Sequence, residues 1–566
     1  MLAGGYRWGF IFEGGFKHLV TKFSKAEKTT VLILIGVILI SIAGSVINYN
    51  RNSVVRPVPG GVFIEGVVGQ SRVVNPLFIQ ANTLDNDIVK LVFAGLVQVG
   101  PGHEFLPDLA ESWEVEDKGK TYIFKLRPHL TFHDGELLTS EDVVFTIDVI
   151  KSEAYGGVFR SEWAGINVIA IDELTVRMEL PEPSTYFLAK ASVGILPMHL
   201  MGHLPVADIG TPEYNKHPVG AGPYKWAAPL AGQTGVHLKS FDAYYGGKPY
   251  IEKIIFRGFD NERDLFTALV NGNVTAAGFT TTVFTEETSL LNTNQYDYHM
   301  PQYKAVFFNI LGENKALGYT EIRQALGYAT NKDRIIREIT DNHAMRADSP
   351  ILPGFWGHLP DMEKYDFDYA AAKELLEKRG WGDVDGDGFL EKDNVRFSFT
   401  LSFKDDKVNA ELAKVLAEDW QVIGAEVKLD PVDPADLINQ VIRPRAYDAL
   451  IFGQNLGSDS DPYAYWHSSQ TSDPGLALSI IYEKDIDNSL EFIRMASELN
   501  RAIAYSHRFQ KAFANSVPAI LMYQPNYTYL VDSKIKGTTG SIHLSSTADR
   551  FSGIGQWYVR SRKVLE

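Results

Sequence analysis

Two stretches of the sequence carry residue types suited to chemistry at spacings that mean something. In DVDGDGFLEKDN (383–394), Asp383, Asp385 and Asp387 take the first, third and fifth positions and Gly388 the sixth. Carboxylate oxygens at that spacing suit a hard cation such as calcium, and the glycine permits the sharp turn that such a loop needs. Glu391, at the ninth position, could add an oxygen. The twelfth position calls for a bidentate carboxylate but holds Asn394, with Asp393 one residue early. The competing reading is an acidic turn between a helix and a strand, and calcium there would stiffen a surface loop without touching a ligand. The second stretch is YDALIFGQNLGSDSDPYAYWHSSQ (447–470). A strand-like run gives way to a loop rich in Gly, Asn, Ser and Asp, and then to Tyr463, Tyr465 and Trp466. Such a loop can offer polar groups to a ligand, or it can simply cap its own turns through its Asp and Ser side chains.

No catalytic constellation is present. His199 and His203 stand four apart in HLMGH, but no Glu follows His199 and Pro205 breaks the segment, so ordinary packing accounts for them. No nucleophile elbow, phosphate loop or dinucleotide fingerprint occurs in a strand-to-helix context, and FSGIG near the end lacks the first glycine. Asp405 and Asp406 are charge at a helix start. The chain of 566 residues has no cysteine, which excludes disulfides, thiolate metal sites, cysteine nucleophiles and lipid attachment through an amino-terminal Cys. A net charge of -16 disfavours a phosphate-binding surface and with it nucleic acid as a partner. These residues describe a chain that is not an enzyme and that has no cofactor beyond the calcium candidate.

The elements that must position these residues read as mixed α/β. In TYIFKLRP, Tyr122, Phe124 and Leu126 alternate with Ile123, Lys125 and Arg127, the pattern of a half-buried strand. Asp134-Gly135 signals a turn, and Thr139 with Asp142 three residues on resembles a capping box opening a helix with Val143, Val144, Ile147 and Ile150 on one face. Helical spacing returns at 321–329, 366–379 and 408–423, the last two stopped by Gly380 and Gly424, and GAEVKLDPV then alternates as a strand. Helices interspersed with short strands predict α/β layers.

One segment sets the compartment. VLILIGVILISIAGSVI (31–47) holds no charge, and at helical rise it spans roughly 26 Å, close to the hydrocarbon core of a bilayer. Lys17, Lys22, Lys25 and Lys28 precede it, whereas Arg51 and Arg56 follow. The positive-inside bias therefore predicts a single-pass anchor over 29–50, a cytoplasmic tail at 1–28, and the bulk of the chain outside the cell membrane, extracellular or periplasmic. The rival is a cleaved signal peptide, with Ser41 and Ala43 as small residues near a cleavage site. Pro57, Pro59 and Gly60-Gly61 mark 51–60 as a linker.

Six segments together resemble the bacterial extracellular solute-binding proteins of family 5, the peptide-, dipeptide- and nickel-binding components of ABC importers. They are LAESWEVEDKGKTYIFKLRPHLTFHDGELLTSEDVVFTI (109–147), HPVGAGPYKW (217–226), YYGGKPYIEKIIFR (244–257), IRQALGYATNKDRII (322–336), YDFDYAAAKELLEKRGW (365–381) and VPAILMYQPNYTYLVDSKIKG (517–537). At the front the family's usual lipid-bearing Cys is missing and the apolar helix stands instead. The resemblance implies a type II periplasmic-binding-protein-like fold of two lobes and a hinge. Lobe I would combine 61–95, 196–300 and 521–557, with an inserted domain at 96–195; lobe II would be 301–520. It implies a monomer that captures a peptide or similar small solute in an interlobe cleft and hands it to an ABC permease. The alternative in another class is an anchored hydrolase of peptides or glycans, and a sensory receptor is a third option that the short cytoplasmic tail disfavours. The ligand is placed at Asn455, Ser458, Asp459, Asp461, Tyr463 and Trp466, with Asn309 as a further candidate. In peptide-binding relatives an Asp of this loop meets the peptide's amino group; here the matching position is Ser458, Asp459 is displaced by one, and Asp461 precedes Pro462.

Overall fold

The computed structural model describes residues 24–78, 83–100, 104–211, 215–228, 234–280, 292–312, 314–457, 461–496, 498–538 and 543–565. They form two compact units: 24–59 with 560–565, and 60–559.

In the first unit, the helix Lys25–Asn52 runs for 28 residues, about 42 Å at the usual rise. Ser24 opens it with a capping box: its hydroxyl accepts the Glu27 N–H, while the Glu27 carboxylate accepts the Ser24 N–H at 2.7 Å. Its apolar side chains point outward, with Leu32 68% and Ile40 73% exposed, so nothing in the unit buries them. Length and composition over Lys25–Ser45 suffice to cross a membrane. The 51–60 segment, expected as a linker, is instead largely a strand. Ser53–Val58 follows the helix without a break and pairs antiparallel with Arg560–Leu565, Ser53 facing Leu565 and Arg56 facing Arg562. Its β-branched valines favour the extended state, and in a two-stranded ribbon Pro57 can turn its donorless nitrogen to the open edge. The partner strand is remote in sequence, so no local signal announces it.

The second unit is organised by a twelve-stranded mixed sheet. At its centre lies the long strand Ala519–Asp532. Its first half pairs with Gln302–Phe308 and Ala344–Arg346, and its second half with Ala276–Phe279 and Thr293–His299. The sheet continues through Val62–Val68, Lys253–Phe259, Val236–Ser240 and Tyr224–Trp226 on one side, and through Ala449–Asn455, Ser398–Lys404 and Glu426–Val432 on the other. The change of partners falls between Pro525 and Asn526, beside the short connection Met300-Pro301. There the Met300 N–H donates to the Pro525 carbonyl at 3.1 Å, and the Gln524 amide donates to the Met300 carbonyl at 2.8 Å. Two strands therefore cross from one half of the sheet to the other at one place, the geometry a hinge requires.

A separate four-stranded antiparallel sheet, in the order Ala110–Glu116, Thr121–Leu126, Thr175–Glu179, Asn167–Asp172, is packed by the helix Ser140–Lys151. The capping box read at Thr139 and Asp142 opens that helix, the Thr139 N–H donating to Asp142 at 2.9 Å. Gly135 supplies the left-handed φ of +100° in the preceding turn, which a side chain would strain. The three later helices read from the sequence occupy Thr320–Ala329, Tyr369–Lys378 and Lys407–Gln421. The second starts three residues later than its periodicity suggests, because Asp368 is the residue whose carboxylate accepts the Ala370 and Ala371 N–H groups.

Candidate functional site

The strand Ala449–Asn455 aligns Asn455 with Gln302, so the loop that follows leaves the sheet at the two-strand crossing. The Leu456 N–H donates to the Pro301 carbonyl at 2.7 Å and fastens the loop there. The Asn455 side-chain oxygen accepts the Gly457 N–H at 3.0 Å, and its carbonyl accepts the Tyr465 hydroxyl at 2.8 Å. Asn455, Leu456, Gly457 and Tyr465 form one wall of a cavity of about 860 Å³. The facing wall comes from the helix Thr83–Val92, the short strand Val97–Val99 and connecting segments, including Lys90, Trp163, Tyr244 and Phe551. That size falls in the range of small-molecule and cofactor sites.

Several charged groups in the walls are held by neighbouring groups. Lys90 pairs with Asp549 at 3.1 Å, and the other Asp549 oxygen accepts the Ser545 and Ser546 N–H groups at 3.0 and 2.9 Å. Asp108 is buried and accepts the Tyr245 hydroxyl; burial pushes its carboxyl above the usual range. Lys190 donates to the Glu162 carbonyl at 2.9 Å. A cavity so arranged offers apolar surface, aromatic edges and main-chain groups, and among the described residues lining it no nucleophile is held by a base.

The residues read from the sequence are distributed unevenly around this cavity. Asn455 lines it. Ser458 and Asp459 lie outside the described residues, immediately after Gly457. Asp461 accepts two contacts from the Arg494 guanidinium, at 2.6 and 2.7 Å, and is neutralised there. Tyr463 is stacked on His467 with ring centres 4.0 Å apart, under the Arg494 guanidinium at 3.8 Å. Trp466 is 6% exposed and packs in the core against Tyr303, Phe307 and Phe513. Asn309 is held at the other end of its strand, donating to the Arg445 carbonyl and accepting the Leu311 N–H, both at 3.1 Å. The cavity residues that sequence reading did not single out, Lys90, Trp163, Tyr244 and Asp549, come from segments far apart in the chain. Only the quoted aromatic run pointed to Tyr465.

In the acidic loop, Asp383, Asp385 and Glu391 each bring an oxygen within 4.8 Å of the others. Asp387 is drawn away to Arg396 at 2.6 Å, and the same guanidinium donates to Glu391 at 3.1 Å and Glu426 at 2.8 Å. Both Asp383 oxygens accept backbone donors, the Gly386 N–H at 2.7 Å and the Gly388 N–H at 3.0 Å. The donor set suits a hard cation, yet a cation would have to displace Arg396 from two of the four acids. Outside this loop, His199 is paired with Asp134 at 2.7 Å.

Comparison with known proteins matches the family described as bacterial extracellular solute-binding proteins, family 5 Middle, over residues 104–475. The chain is 27% identical over 521 residues to the oligopeptide-binding protein AppA of Bacillus subtilis, covering 90% of this chain and 94% of that one. It is 26% identical over 496 residues to the dipeptide-binding protein of Escherichia coli, covering 82% and 89%. Among solved structures, AppA in complex with a nonapeptide superposes with a TM-score of 0.69 at 26% identity, covering 89% of this chain and all of that one. The ABC transporter substrate-binding protein CtaP of Listeria monocytogenes gives 0.75 at 26% identity with coverage of 89% and 100%.

Proposed function

The chain belongs to the bacterial extracellular solute-binding proteins of family 5, and from that premise we propose that it captures peptides, or a similar small solute, and delivers them to an ABC permease. The observation that carries this reading is the cavity of about 860 Å³ between the end of the strand Ala449–Asn455, on one half of the twelve-stranded sheet, and the helix Thr83–Val92 with its neighbouring segments, which pack on the other half. Ligand entering such a cavity leaves water on both sides, and closure about the 299–302 and 523–526 crossings encloses it. In this reading 61–95, 196–300 and 521–557 move as one lobe with 96–195 attached, and 301–520 move as the other. The loop Asn455 to Gly457 offers main-chain groups to the ligand, with Ser458 and Asp459 completing it.

The helix Lys25–Asn52 serves as the membrane anchor, with 1–28 in the cytoplasm, and the binding unit works outside the membrane as a monomer. A tether replaces the lipid that a chain without cysteine cannot carry. Because ligand binds only the folded state, saturating peptide raises the melting temperature by mass action.

Native mass spectrometry of freshly purified protein, followed by calorimetric titration with the peptide it carries, tests the reading. One ligand per chain and a smaller radius of gyration on binding support it. Turnover of peptides or glycans, abolished by substituting an acidic residue of the cavity, would transfer the case to a hydrolase. A mature amino terminus near Gly44 would replace the anchored form with a released one.

A further inference from the structure

The ribbon beside the apolar helix carries a charge arrangement that solute capture does not use. Arg56 and Arg562 stand directly opposite each other, so their side chains leave the same face. Arg560 shares that face, and Val54, Val58 and Val564 complete it. Arg56, Arg560 and Arg562 are all exposed, and among the described residues no carboxylate pairs with any of them. Like charges set directly across a ribbon oppose its pairing, and an isolated two-stranded ribbon has little stability to spare. An anion from outside the chain resolves that conflict.

The position of the ribbon indicates which anion. A helix of 28 residues measures about 42 Å, the thickness of a bilayer with its headgroups. The strand begins at the next residue, so Arg56 lies no more than about 13 Å further along the chain. That is comparable with the screening length of about 8 Å at physiological ionic strength, and any lean of the ribbon shortens it. At the helix-proximal end of the arginine face stand Val54 and Val564, directly opposite each other, which suits a face lying against the interfacial region. Guanidinium groups match phosphate oxygens in pairs.

We propose that the Arg56, Arg560 and Arg562 face binds the phosphates of anionic lipids at the bilayer surface beside the anchor, holding the ribbon down on the membrane. The proposal rests on the anchored reading of the helix. A cation near an anionic surface strengthens attachment by about fivefold, so losing Arg56 and Arg562 together costs roughly 30-fold.

The full chain, reconstituted in nanodiscs of phosphatidylcholine with or without phosphatidylglycerol, provides the test by hydrogen exchange of 53–58 and 560–565. Exchange is expected to slow at least about fivefold when phosphatidylglycerol is present, an effect lost in Arg56→Gln/Arg562→Gln and kept in Arg56→Lys/Arg562→Lys. Equal exchange in the two lipid compositions overturns the proposal. So does slowing in phosphatidylcholine discs on adding inorganic phosphate alone, which indicates a free anion, or only on adding the purified permease, which indicates an acidic protein surface. A chain that does not remain with the discs overturns the anchor itself and is distinguished by that behaviour from a chain that inserts without responding to lipid charge.

Discussion

The Thr185 hydroxyl donates to the carbonyls of Ile493 and Ala496, at 3.0 and 3.2 Å, at the end of the helix Lys484–Met495. Next to it, Tyr186 is 5% exposed, with its ring 5.0 Å from that of Trp356. Both residues follow the four-stranded sheet, whereas their partners lie on the side of the large sheet built from 301–520. The contact thus joins the two sides of the cavity at a place other than the strand crossing, as a latch does.

If the sides part when the cavity opens, each bond of this latch favours the closed form alone. Losing a hydroxyl bond of this kind costs about 1 kcal/mol, so Thr185→Val is expected to weaken ligand affinity about fivefold while leaving the melting temperature of ligand-free protein nearly unchanged. Titration calorimetry and thermal melts on the same preparation read both quantities. An affinity unchanged from wild type would show that the contact survives opening and does not bias it.

Much of the fold is legible in local sequence because its signals are local. The Thr139 and Asp142 cap, the turn at Gly135, and the helices ended before Gly380 and Gly424 all rest on contacts within a few residues. The ribbon is not legible, since what makes Ser53–Val58 a strand is a partner more than half the molecule away. The site divides the same way. A polar loop ending in aromatics reads equally as a ligand platform or a packed corner until tertiary neighbours are known. Here Arg494 takes Asp461 and Tyr463, and Tyr303, Phe307 and Phe513 take Trp466, while Asn455 and Tyr465 face the cavity. The opposite wall has no shared motif at all, because Lys90, Trp163, Tyr244 and Asp549 meet only through the fold.

A buried charge cluster behind that wall sets a pH dependence. Arg550, fully buried, bridges Glu65 at 2.8 Å and Asp87, and the Tyr529 hydroxyl donates to Glu65 at 2.8 Å. Burial pushes the Glu65 carboxyl up to about 7, and the Arg550 guanidinium only partly opposes it. The folded state then holds this proton more tightly than the unfolded chain, whose Glu titrates near 4.3. The Glu65 contribution to stability therefore falls as pH rises from about 4 to about 7 and is level above that. Glu65→Gln is expected to remove this part of the pH profile, read by urea unfolding across the range. Arg550→Leu leaves two buried carboxylates facing each other and is expected to cost about 3–5 kcal/mol near neutral pH. A loss below about 1 kcal/mol would mean that water reaches the cluster.

In the acidic loop, the cation and Arg396 compete for Asp387 and Glu391. Calcium affinity is accordingly expected to be weak, with a dissociation constant of about 10⁻⁴–10⁻³ M, the range of extracellular modules. Arg396→Gln frees both acids and is expected to tighten it by about tenfold, at some cost in the tie to Glu426. Calorimetric titration with calcium on the two proteins checks this. A wild-type constant below about 10⁻⁶ M would mean that Arg396 leaves without resistance.

The last expectation concerns Asp459, which follows the cavity-lining Gly457 by two residues and lies outside the described part of the loop. The acids placed in the cavity walls are Asp108, Glu162 and Asp549, and none is free: Asp549 has Lys90 and Asp108 has Tyr245. Asp461 has Arg494. A ligand carrying a free amino group must find a carboxylate, because an unpaired charge enclosed away from water costs several kcal/mol. Ser458 cannot supply one. Asp459→Asn preserves shape and hydrogen bonding but deletes the charge, and breaking a desolvated pair costs about 2–5 kcal/mol, roughly a 30- to 4,000-fold loss of affinity. Ser458→Ala is expected to change affinity about threefold or less. The comparison uses one peptide with a free amino terminus and the same peptide acetylated. Wild type should discriminate between them, and Asp459→Asn should bind both with the affinity that wild type shows for the acetylated form. If Asp459→Asn holds the free peptide as tightly as wild type, recognition runs through the main chain of Asn455 to Gly457 and the Tyr465 ring instead.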